Sequence, residues 1–340
     1  MNPGPRSNFR PAPAHVLVTG GAGFIGSHTV DLLLAHGCRV TVLDNLSTGY
    51  AANLAQCEGR PDYDFVEADI TQDFAPALER AARRFGPIER IAHFAAQTAV
   101  PLSVDDPITD ISVNVAGTVR VLEYARRHKV RKIAFASSSA IYDDDATVPV
   151  SEASTARPAS PYGIDKLAVE FYLDYYARYH GLAFTALRFM NVYGPRQDPS
   201  SYYSGVISIF MDRAFANQPI TIFDDGEQTR DFVYVSDVAD AVVTAALTDA
   251  GNGAIINIGT GIEVSVNEIT RTILELTGSR SPVRHEAPRP GDIRRSVTTM
   301  NRAKELLGFD PKVDLREGLS RTLAWVRQQA LVAARRGSAA

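Results

Sequence analysis

The sequence contains little cysteine, no excess of basic residues and no long apolar run. Only Cys38 and Cys57 occur in 340 residues, too few for a disulfide framework and not spaced as in a metal site. Chains without disulfides suit a reducing compartment, so we predict a cytoplasmic protein. No apolar run approaches the ~18 residues that a membrane-spanning helix needs, and we therefore expect no membrane partner.

The charges of the chain nearly cancel. The 35 Lys and Arg residues face 39 Asp and Glu residues, and the formal net charge is −4. This balance leaves no broad basic field for nucleic acid or an anionic membrane. Hydrophobic residues make up 45% and charged residues 22%, which is typical of a globular chain, and the length predicts about two domains.

Between residues 15 and 190 the chain alternates short β-branched runs with stretches of helical period. The predicted strands are HVLVTG, CRVTVLD, YDFVEAD, RIAHFAA, KIAFASSS and AFTALRF. Helix-length connections between strands indicate βαβ crossovers and a parallel sheet, which places the protein in the α/β class. One long helix is predicted over 107–128. A second is predicted over 161–180, where Ser160 and Pro161 form a good start and Gly181 a good end.

The pattern changes past Met190, where the loop NVYGPRQDPSSYYSG precedes shorter and less regular segments. We predict a nucleotide-binding domain over 15–190, to which about 232–258 returns. The segments 191–231 and 259–330 form a smaller, discontinuous substrate-binding lobe. Residues 1–14, with four prolines and no apolar core, are expected to be a disordered extension without a signal-peptide pattern, and 331–340 to be a tail.

The segment VTGGAGFIG ends a predicted strand and opens a predicted helix. Gly21, Gly23 and Gly26 match GxGxxG, while Gly20, Gly23 and Gly26 match GxxGxxG. Either register lets backbone approach a pyrophosphate at a helix N-terminus; the alternative is a tight glycine turn without a ligand.

Two acidic residues follow at strand ends. Asp44 closes the second predicted strand 18 residues after Gly26, near the spacing expected of an acid that binds an adenosine ribose. Its charge would repel the extra phosphate of NADP and favours NAD. Asp69 ends the third strand, where it either contacts adenine or caps the strand.

Tyr162 and Lys166 are spaced i, i+4 and therefore share one face of the second long helix. A nearby ammonium favours the phenolate and lowers the pKa of the tyrosine. The alternative is a surface tyrosine that packs on a lysine stem. Ser137, Ser138 and Ser139 end the preceding strand, where hydroxyls face the ligand crevice of a parallel sheet.

With these residues in place, the chain resembles the extended short-chain dehydrogenases/reductases, and within them NAD-dependent nucleotide-sugar epimerases of the UDP-glucose (UDP-galactose) 4-epimerase type. The resemblance covers about 15–330 and implies a Rossmann doubly wound parallel sheet. Its motifs are TGGAGFIG at 19–26, DNLSTG at 44–49, HFAAQTAV at 93–100, SVNVAGT at 112–118, FASSSAIY at 135–142, SPYGIDK at 160–166, RFMNVYGPR at 188–196, DGEQTRDFVYVSDV at 225–238 and RPGD at 289–292.

The resemblance implies a role for each matching residue. Tyr162 would take the proton of the sugar 4-hydroxyl, Lys166 would bind the nicotinamide ribose, and Ser138 would bond O4. NAD would be bound by Gly20, Gly23, Phe24, Ile25, Gly26, Asp44, Asn45, Asp69, Ile70, Phe94, Ala95, Ala96, Asn114, Tyr162 and Lys166. The UDP- or dTDP-hexose would be bound by Ser138, Ser139, Tyr162, Asn191, Val206, Thr221, Phe223, Arg230, Arg289, Asp292 and Ser296. No metal is implied.

Four of these residues would hold the nucleotide diphosphate: Asn191, Arg230, Arg289 and Asp292. Guanidinium groups suit a dianionic pyrophosphate, although solvated surface arginines are the alternative.

The same comparison distinguishes an epimerase from its relatives. A 4,6-dehydratase needs an additional acid and base, and similar dehydratases carry an Asp-Glu pair where this chain has Ser139 and Ala140. The glutamate of decarboxylating relatives is missing too. A 4-keto sugar formed here can only be reduced again, which predicts interconversion of UDP-glucose and UDP-galactose. Ser296, where some members carry tyrosine, predicts that UDP-GlcNAc and UDP-GalNAc are also accepted.

Alternatives remain open at this point. The substrate could be a dTDP-6-deoxyhexose or a UDP-uronic acid, or the chain could bind NAD and sugar nucleotides without catalysis. The run 143–145, three aspartates after Tyr142, is either a solvated loop or an altered sugar contact.

The resemblance also implies a homodimer packed through the two long helices. The alternative is that aromatic residues of the second helix belong to the core of the monomer: Phe171, Tyr172, Tyr175 and Tyr176.

Overall fold

The computed structural model describes residues 13–199, 205–288 and 293–337. Four parts of the predictions lie outside these ranges: residues 1–12 of the extension predicted over 1–14, the last three residues of the predicted tail, Arg289 and Asp292. The strands are β1 (His15–Thr19), β2 (Arg39–Asp44), β3 (Tyr63–Glu67), β4 (Arg90–His93), β5 (Lys132–Ser138), β6 (Ala183–Phe189), β7 (Asn191–Tyr193), β8 (Ile220–Phe223), β9 (Thr229–Arg230), β10 (Phe232–Tyr234), β11 (Ala254–Ile258), β12 (Val264–Ser265) and β13 (Val283–Glu286).

Eleven α-helices occur in the described ranges. They are α1 (Phe24–Ala35), α2 (Ala75–Phe85), α3 (Val100–Asp105), α4 (Pro107–Ile111), α5 (Thr118–Arg127), α6 (Pro161–His180), α7 (Val206–Phe215), α8 (Val235–Leu247), α9 (Val266–Thr277), α10 (Asn301–Leu307) and α11 (Leu315–Gly337). Short 3₁₀ turns cover Ala51–Cys57 and Ser139–Ile141, and a π-helical turn covers Ser112–Gly117.

Seven parallel strands form the main sheet in the order β11-β6-β5-β4-β1-β2-β3. Strand β1 lies between β2 and β4, so the chain proceeds outward from β1 in both directions. Ligands bind at the carboxyl ends of the strands beside such a switch point. The predicted α/β class and doubly wound sheet are confirmed.

The sheet is covered on both faces, as its strand composition requires. Successive residues of β1 point to opposite sides: Val16 and Val18 pack with α1 and α8, while Leu17 packs with α5 and α6. All five β1 residues are buried. The edge that remains for a ligand is therefore the row of strand ends.

The smaller lobe has its own core, and the chain passes between this lobe and the main sheet three times. Helices α7, α9 and α11 pack around the short sheets β8–β13, β9–β12 and β7–β10, with Ile207, Ile269 and Leu319 buried between them. Strand β6 leads into β7, β10 leads into α8, and β11 joins the main sheet beside β6 before the chain leaves again. The domain boundaries given above stay a prediction.

The first predicted long helix is interrupted. The helical stretch runs from Pro107 to Arg127, but Ser112–Gly117 adopts a π-helical turn. Turns of this kind insert an extra residue and occur often near functional sites. Here the turn carries Asn114, whose backbone oxygen accepts a hydrogen bond from Thr118 Oγ1 at 2.6 Å. The second long helix runs from Pro161 to His180 and ends at Gly181 in the left-handed conformation, as predicted.

Candidate active site

The glycine segment after β1 forms a turn with no room for a Cβ at Gly20 or Gly26. Gly20 has φ +68°, and a Cβ on it would lie 2.6 Å from the Ala95 nitrogen. A Cβ on Gly26 would lie 2.2 Å from the Gly20 oxygen. Gly23 caps α1 without any side-chain hydrogen bond to the first turn. The helix therefore presents N–H groups and the positive end of its dipole to the space above the turn.

Asp44 holds this turn in place. Its carboxylate accepts hydrogen bonds from Ala22 N at 2.9 Å and Leu46 N at 2.8 Å. The side chain is buried at the end of β2, and burial raises its pKa although both backbone N–H groups lower it. The predicted contact of Asp44 with a ribose stays a prediction.

The next strand end carries a hydrogen-bonded pair. Asn45 Nδ2 donates to Asp69 Oδ2 at 2.9 Å, and Asp69 Oδ1 accepts from Thr71 N at 2.7 Å. Burial disfavours the charge of Asp69, but the bonds from Thr71 and Asn45 outweigh it and lower its pKa. Asp69 thus caps its strand end, while Ile70 beside it is buried.

The turn after β4, which contains Phe94, Ala95 and Ala96, is fixed by Asn114. The Asn114 side chain accepts from Gln97 N at 2.8 Å and donates to Gln97 O at 3.0 Å. Asn114 is only 2% exposed. It therefore shapes the floor of the crevice beside the glycine turn.

His93, at the end of β4, is a buried residue that the motifs did not single out as functional. Its Nδ1 lies 2.5 Å from Thr19 Oγ1 and its Nε2 lies 2.9 Å from Thr118 Oγ1. Burial and the charge of Lys166 lower its pKa to about 3. A neutral imidazole thus joins β1, β4 and α5 beneath the site.

Three residues of the predicted catalytic set converge where β5 meets α6. Ser138 is the last residue of β5, Tyr162 lies in the first turn of α6, and Lys166 follows one turn later. Lys166 Nζ donates to Ala136 O at 2.9 Å and lies 5.7 Å from the centre of the Tyr162 ring. A hydroxyl, a phenol and an ammonium group therefore occupy one end of the sheet.

Two local features bring α6 this close to β5. Ser160 Oγ caps the helix by accepting from Gly163 N at 3.2 Å. A Cβ on Gly163 would lie 2.3 Å from the Ala140 oxygen, so only glycine permits this approach. Gly163, the glycine of the SPYGIDK motif, is therefore needed for the close packing of α6 against the turn after β5.

Burial controls the ionisation of this group. Removal from water lowers the pKa of Lys166 to about 8, against the opposing charges of Asp110, Asp165 and Glu170. Burial raises the pKa of Tyr162 to about 12, although a hydrogen bond with Ser138 acts in the other direction. At neutral pH the phenol is protonated and the lysine is charged.

A buried ion pair supports α6 from below. Glu170 accepts two hydrogen bonds from Arg188 of β6, at 3.0 Å from Nε and 2.7 Å from Nη2. Ser137 Oγ donates to the same carboxylate at 2.6 Å. Arg188 Nη1 also donates to the Tyr142 hydroxyl at 2.9 Å, and this hydroxyl donates to Asn257 of β11 at 2.6 Å. The network therefore joins β5, α6, β6 and β11.

The comparisons with known proteins agree with this geometry. The model of the NAD dependent epimerase/dehydratase family matches residues 16–259. A UDP-glucose 4-epimerase of Mycolicibacterium smegmatis is 44% identical over 314 residues, which cover 92% of this chain and 98% of that protein. The chain belongs to the NAD dependent epimerase/dehydratase family.

Two solved structures of the family match almost the whole chain. A UDP-glucose 4-epimerase of Thermotoga maritima, solved with UDP-glucose, is 41% identical with a TM-score of 0.86, covering 93% of this chain and 99% of that one. A UDP-N-acetylglucosamine 4-epimerase of Methanobrevibacter ruminantium, in complex with UDP-N-acetylmuramic acid, is 34% identical with a TM-score of 0.85 and the same coverage. The predicted family is thereby confirmed.

NAD is the cofactor of this family, and the glycine turn fits it. Gly20 and Gly26 allow the turn to pack closely against the backbone around it, because a Cβ at either position would clash with neighbouring backbone atoms. The uncapped start of α1 suits a pyrophosphate, and the carboxylate of Asp44 disfavours an additional phosphate on the ribose.

Besides Ser138 of β5 and Tyr162 of α6, most of the predicted substrate residues that the structure describes lie on the smaller lobe. Arg230 Nη1 donates to the Thr229 oxygen at 2.8 Å and to the Ile293 oxygen. Ser139 and Ser296 line one narrow cavity. The half-buried residues Asn191 of β7, Val206 of α7 and Thr221 and Phe223 of β8 complete the described set; Arg289 and Asp292 lie outside the described residues.

The aspartate run 143–145 faces both solvent and a cavity. Asp144 and Asp145 are exposed, yet together with Arg294 and Arg295 they line a cavity of about 640 Å³. Burial raises the pKa of Asp144, and the charges of its two neighbours add to this. The run is therefore solvated and also forms one wall of the opening beside Ser296.

The structure describes no metal centre in residues 13–199, 205–288 and 293–337: no three His, Cys, Asp or Glu side chains there are arranged to hold an ion. None of the described helices combines the length and apolar character needed to cross a membrane.

Substitution Gly26→Ala tests the glycine turn. Its Cβ would lie 2.2 Å from the Gly20 oxygen, so the turn must shift, and we expect NAD affinity to fall by about tenfold or more, a loss of ~1.4 kcal/mol. Gly23→Ala, whose Cβ would lie 3.2 Å from the same oxygen, should lose less. Calorimetric titration with NAD measures both, circular dichroism verifies folding, and unchanged affinity of the folded Gly26→Ala variant would contradict this function of the turn.

Proposed function

We propose that this protein interconverts UDP-glucose and UDP-galactose by NAD-dependent epimerisation at C4. The observation that carries the proposal is the convergence of Ser138, Tyr162 and Lys166 at one strand end. The two residues after Ser138, Ser139 and Ala140, supply no acid or base for a second reaction. The names of the Mycolicibacterium and Thermotoga relatives support uridine as the base and glucose as the sugar.

Proton transfer at the sugar 4-hydroxyl falls to Tyr162. To act as a base, Tyr162 must first lose its own proton, and the Lys166 ammonium, 5.7 Å from the centre of its ring, stabilises the resulting phenolate. The phenolate becomes a phenol again when it takes the proton of the 4-hydroxyl. The Ser138 hydroxyl binds the same sugar oxygen and holds C4 in place. Bound NAD supplies the reversible hydride acceptor, which each turnover regenerates.

The composition of the site decides what becomes of the 4-keto sugar. Dehydration and decarboxylation require further proton transfers at C5 or C6, and Ser139 and Ala140 provide no group for them. The ketone can only be reduced again. If the sugar turns within the pocket first, reduction on its other face gives the C4 epimer.

The remaining assignments belong to this proposal. Residues 15–190 with about 232–258 bind NAD through the residues named from the resemblance, and the lobe at 191–231 and 259–330 binds the sugar nucleotide. Arg230, Arg289, Asn191 and Asp292 hold its diphosphate, because guanidinium groups bind phosphate oxygens in a fixed geometry. We also propose a cytoplasmic location, which suits the free and buried Cys38 and Cys57.

Tyr162→Phe tests the proposed chemistry. Loss of the phenolic hydroxyl removes the base, and we expect kcat to fall by about 10³-fold, within the range that general base catalysis contributes. Binding of NAD should persist. The measurement is NMR resolution of C4 epimers from a panel of UDP- and dTDP-sugars.

Tyr179→Phe, at an exposed tyrosine of the same helix, serves as the control and should match the unsubstituted enzyme. A Tyr162→Phe variant that turns over normally would exclude the mechanism. An unsubstituted protein that binds NAD but converts none of the sugars would favour a non-catalytic function.

Ser296 is proposed to leave room for an N-acetyl group. It lines the same narrow cavity as Ser139, and the Methanobrevibacter relative is named for an N-acetylated substrate. Ser296→Tyr should therefore lower kcat/KM for UDP-GlcNAc by about tenfold or more and affect UDP-glucose less, because binding pockets discriminate by size within roughly this range. Ser296→Ala is the matched control. Equal losses for both sugars would refute the assignment.

We propose a homodimer packed through the two long helical stretches, the one predicted over 107–128 and α6. Phe171 is 68% exposed and Ile108 is 73% exposed, and Tyr172, Tyr175 and Tyr179 are also exposed on α6. Tyr176, by contrast, is buried in the monomer. An exposed apolar surface of this kind is typical of an interaction site.

Phe171→Glu should shift the protein towards the monomer, because the carboxylate would be buried without a partner. Light scattering coupled to gel filtration measures the mass. Phe215→Glu, at an exposed phenylalanine of α7, is the control that should leave the mass unchanged. A monomeric unsubstituted protein would refute the proposal.

A further inference from the structure

Two carboxyl groups meet beside the proposed catalytic residues. Asp110 of α4 is fully buried and Asp165 of α6 is 5% exposed. Helix α4 packs against α6, and the two carboxyl groups lie within hydrogen-bonding reach of each other. Asp110 Oδ1 also accepts from Gln97 Nε2 at 2.6 Å and from Asn114 Nδ2 at 3.0 Å. The Oδ2 atoms of both carboxyls are buried and receive no N–H or other conventional donor from the described residues.

A hydrogen bond between two carboxyl groups requires one proton, since ionised carboxylates only accept. Two like charges in contact without water also repel each other strongly, so one of the groups keeps its proton. Burial and the hydrogen bond with Asp110 raise the pKa of Asp165 to about 7. The pair thus carries one proton and one negative charge below about pH 7.

Lys166 directly follows Asp165 in the sequence, and the negative charge of the pair acts on its ammonium group. It is buried, and the charges of Asp110 and Asp165 both favour its ammonium form. Glu170 acts in the same direction, but its carboxylate is already bound by Arg188 at 2.7 Å.

Other charged or titratable groups on the elements around α6 are neutralised, exposed or uncharged. His93 of β4 is neutral because burial keeps its pKa near 3. Glu123 of α5 is paired with Arg126 at 2.8 Å. The remaining carboxylates at the ends of α3 are the exposed Asp105 and Asp106.

We propose that Asp110 and Asp165 are positioning residues that share one proton and whose single negative charge holds Lys166 as an ammonium group beside Tyr162. The pair also receives the side-chain N–H groups of Gln97 and Asn114, so the same charge fixes the turn after β4. This inference rests on the proposed function, in which Tyr162 is the base that Lys166 assists.

The decisive variant is Asp110→Asn/Asp165→Asn. Each amide keeps an acceptor oxygen and gains N–H donors, so the contacts with Gln97, Asn114 and the partner amide can be retained while the charge is lost. Asp165→Asn alone keeps one charge, on Asp110, without a shared proton. Asp174→Asn, at a half-exposed carboxylate of the same helix, is the matched control.

The first readout is the pH dependence of kcat for UDP-glucose. Without the charge, both Lys166 and Tyr162 deprotonate more easily, so the whole profile of the double variant should move towards acid pH by about one unit or more. KM should change less than the position of the profile, and Asp165→Asn, which keeps one charge, should move the profile less. A merely structural pair would leave the profile of a folded double variant in place, and that result would overturn the proposal.

The second readout is unfolding by urea between pH 5 and 8, which needs neither NAD nor substrate. The pKa of Asp165 is about 7 in the folded protein and about 4 when unfolded. Protonation therefore favours the folded state: this stabilisation is complete below about pH 4 and is lost as the pH rises through 7.

We expect the urea midpoint of the unsubstituted protein, measured relative to Asp165→Asn, to fall over this interval. A constant difference would exclude the shared proton, even if the double variant failed to fold. If the unsubstituted protein converts no sugar while the midpoint falls as expected, the proposed function fails and the proton-sharing pair stands, although its action on catalysis is then refuted.

Discussion

The buried contact between Arg188 and Glu170 is the interaction on which the arrangement of the site depends. It joins β6 to the middle of α6, the helix that carries Tyr162 and Lys166 at its start. Both side chains are at most 5% exposed, so removal of one partner would leave an uncompensated buried charge at a cost of roughly 3–5 kcal/mol. The position of the phenol relative to the end of β5 therefore depends on an ion pair two turns away.

Close approach of backbone to backbone is the second constraint. At Gly26 the helix α1 touches the turn after β1, and at Gly163 the helix α6 touches the turn after β5. The same geometry thus recurs at two strand ends on the same edge of the sheet: a helix starts against a strand end with no side chain between them. One of these places suits a pyrophosphate and the other brings a phenol to the carboxyl end of β5.

Local patterns predicted the sheet and the helix starts, because apolar periodicity, Ser160-Pro161 and the glycines act over a few residues. They could not predict His93 as a buried link between strands or the π-helical turn around Asn114, since both depend on packing across the sheet. Asp165 lies inside the SPYGIDK motif, but its partner Asp110 is 55 residues earlier in the chain. No local pattern joins two such residues; only the packing of α4 against α6 does.

The return of the chain to the main sheet bears on how the protein is synthesised. Strand β11 ends at Ile258 and pairs with β6 at the edge of the sheet, so about three quarters of the 340 residues must leave the ribosome before the sheet is complete. Until then β6 presents an open edge, and the partner of the Tyr142 hydroxyl, Asn257, has not been made. Domains commonly fold as units during translation, but this interleaved order ties completion of the main sheet to prior synthesis of the first part of the smaller lobe.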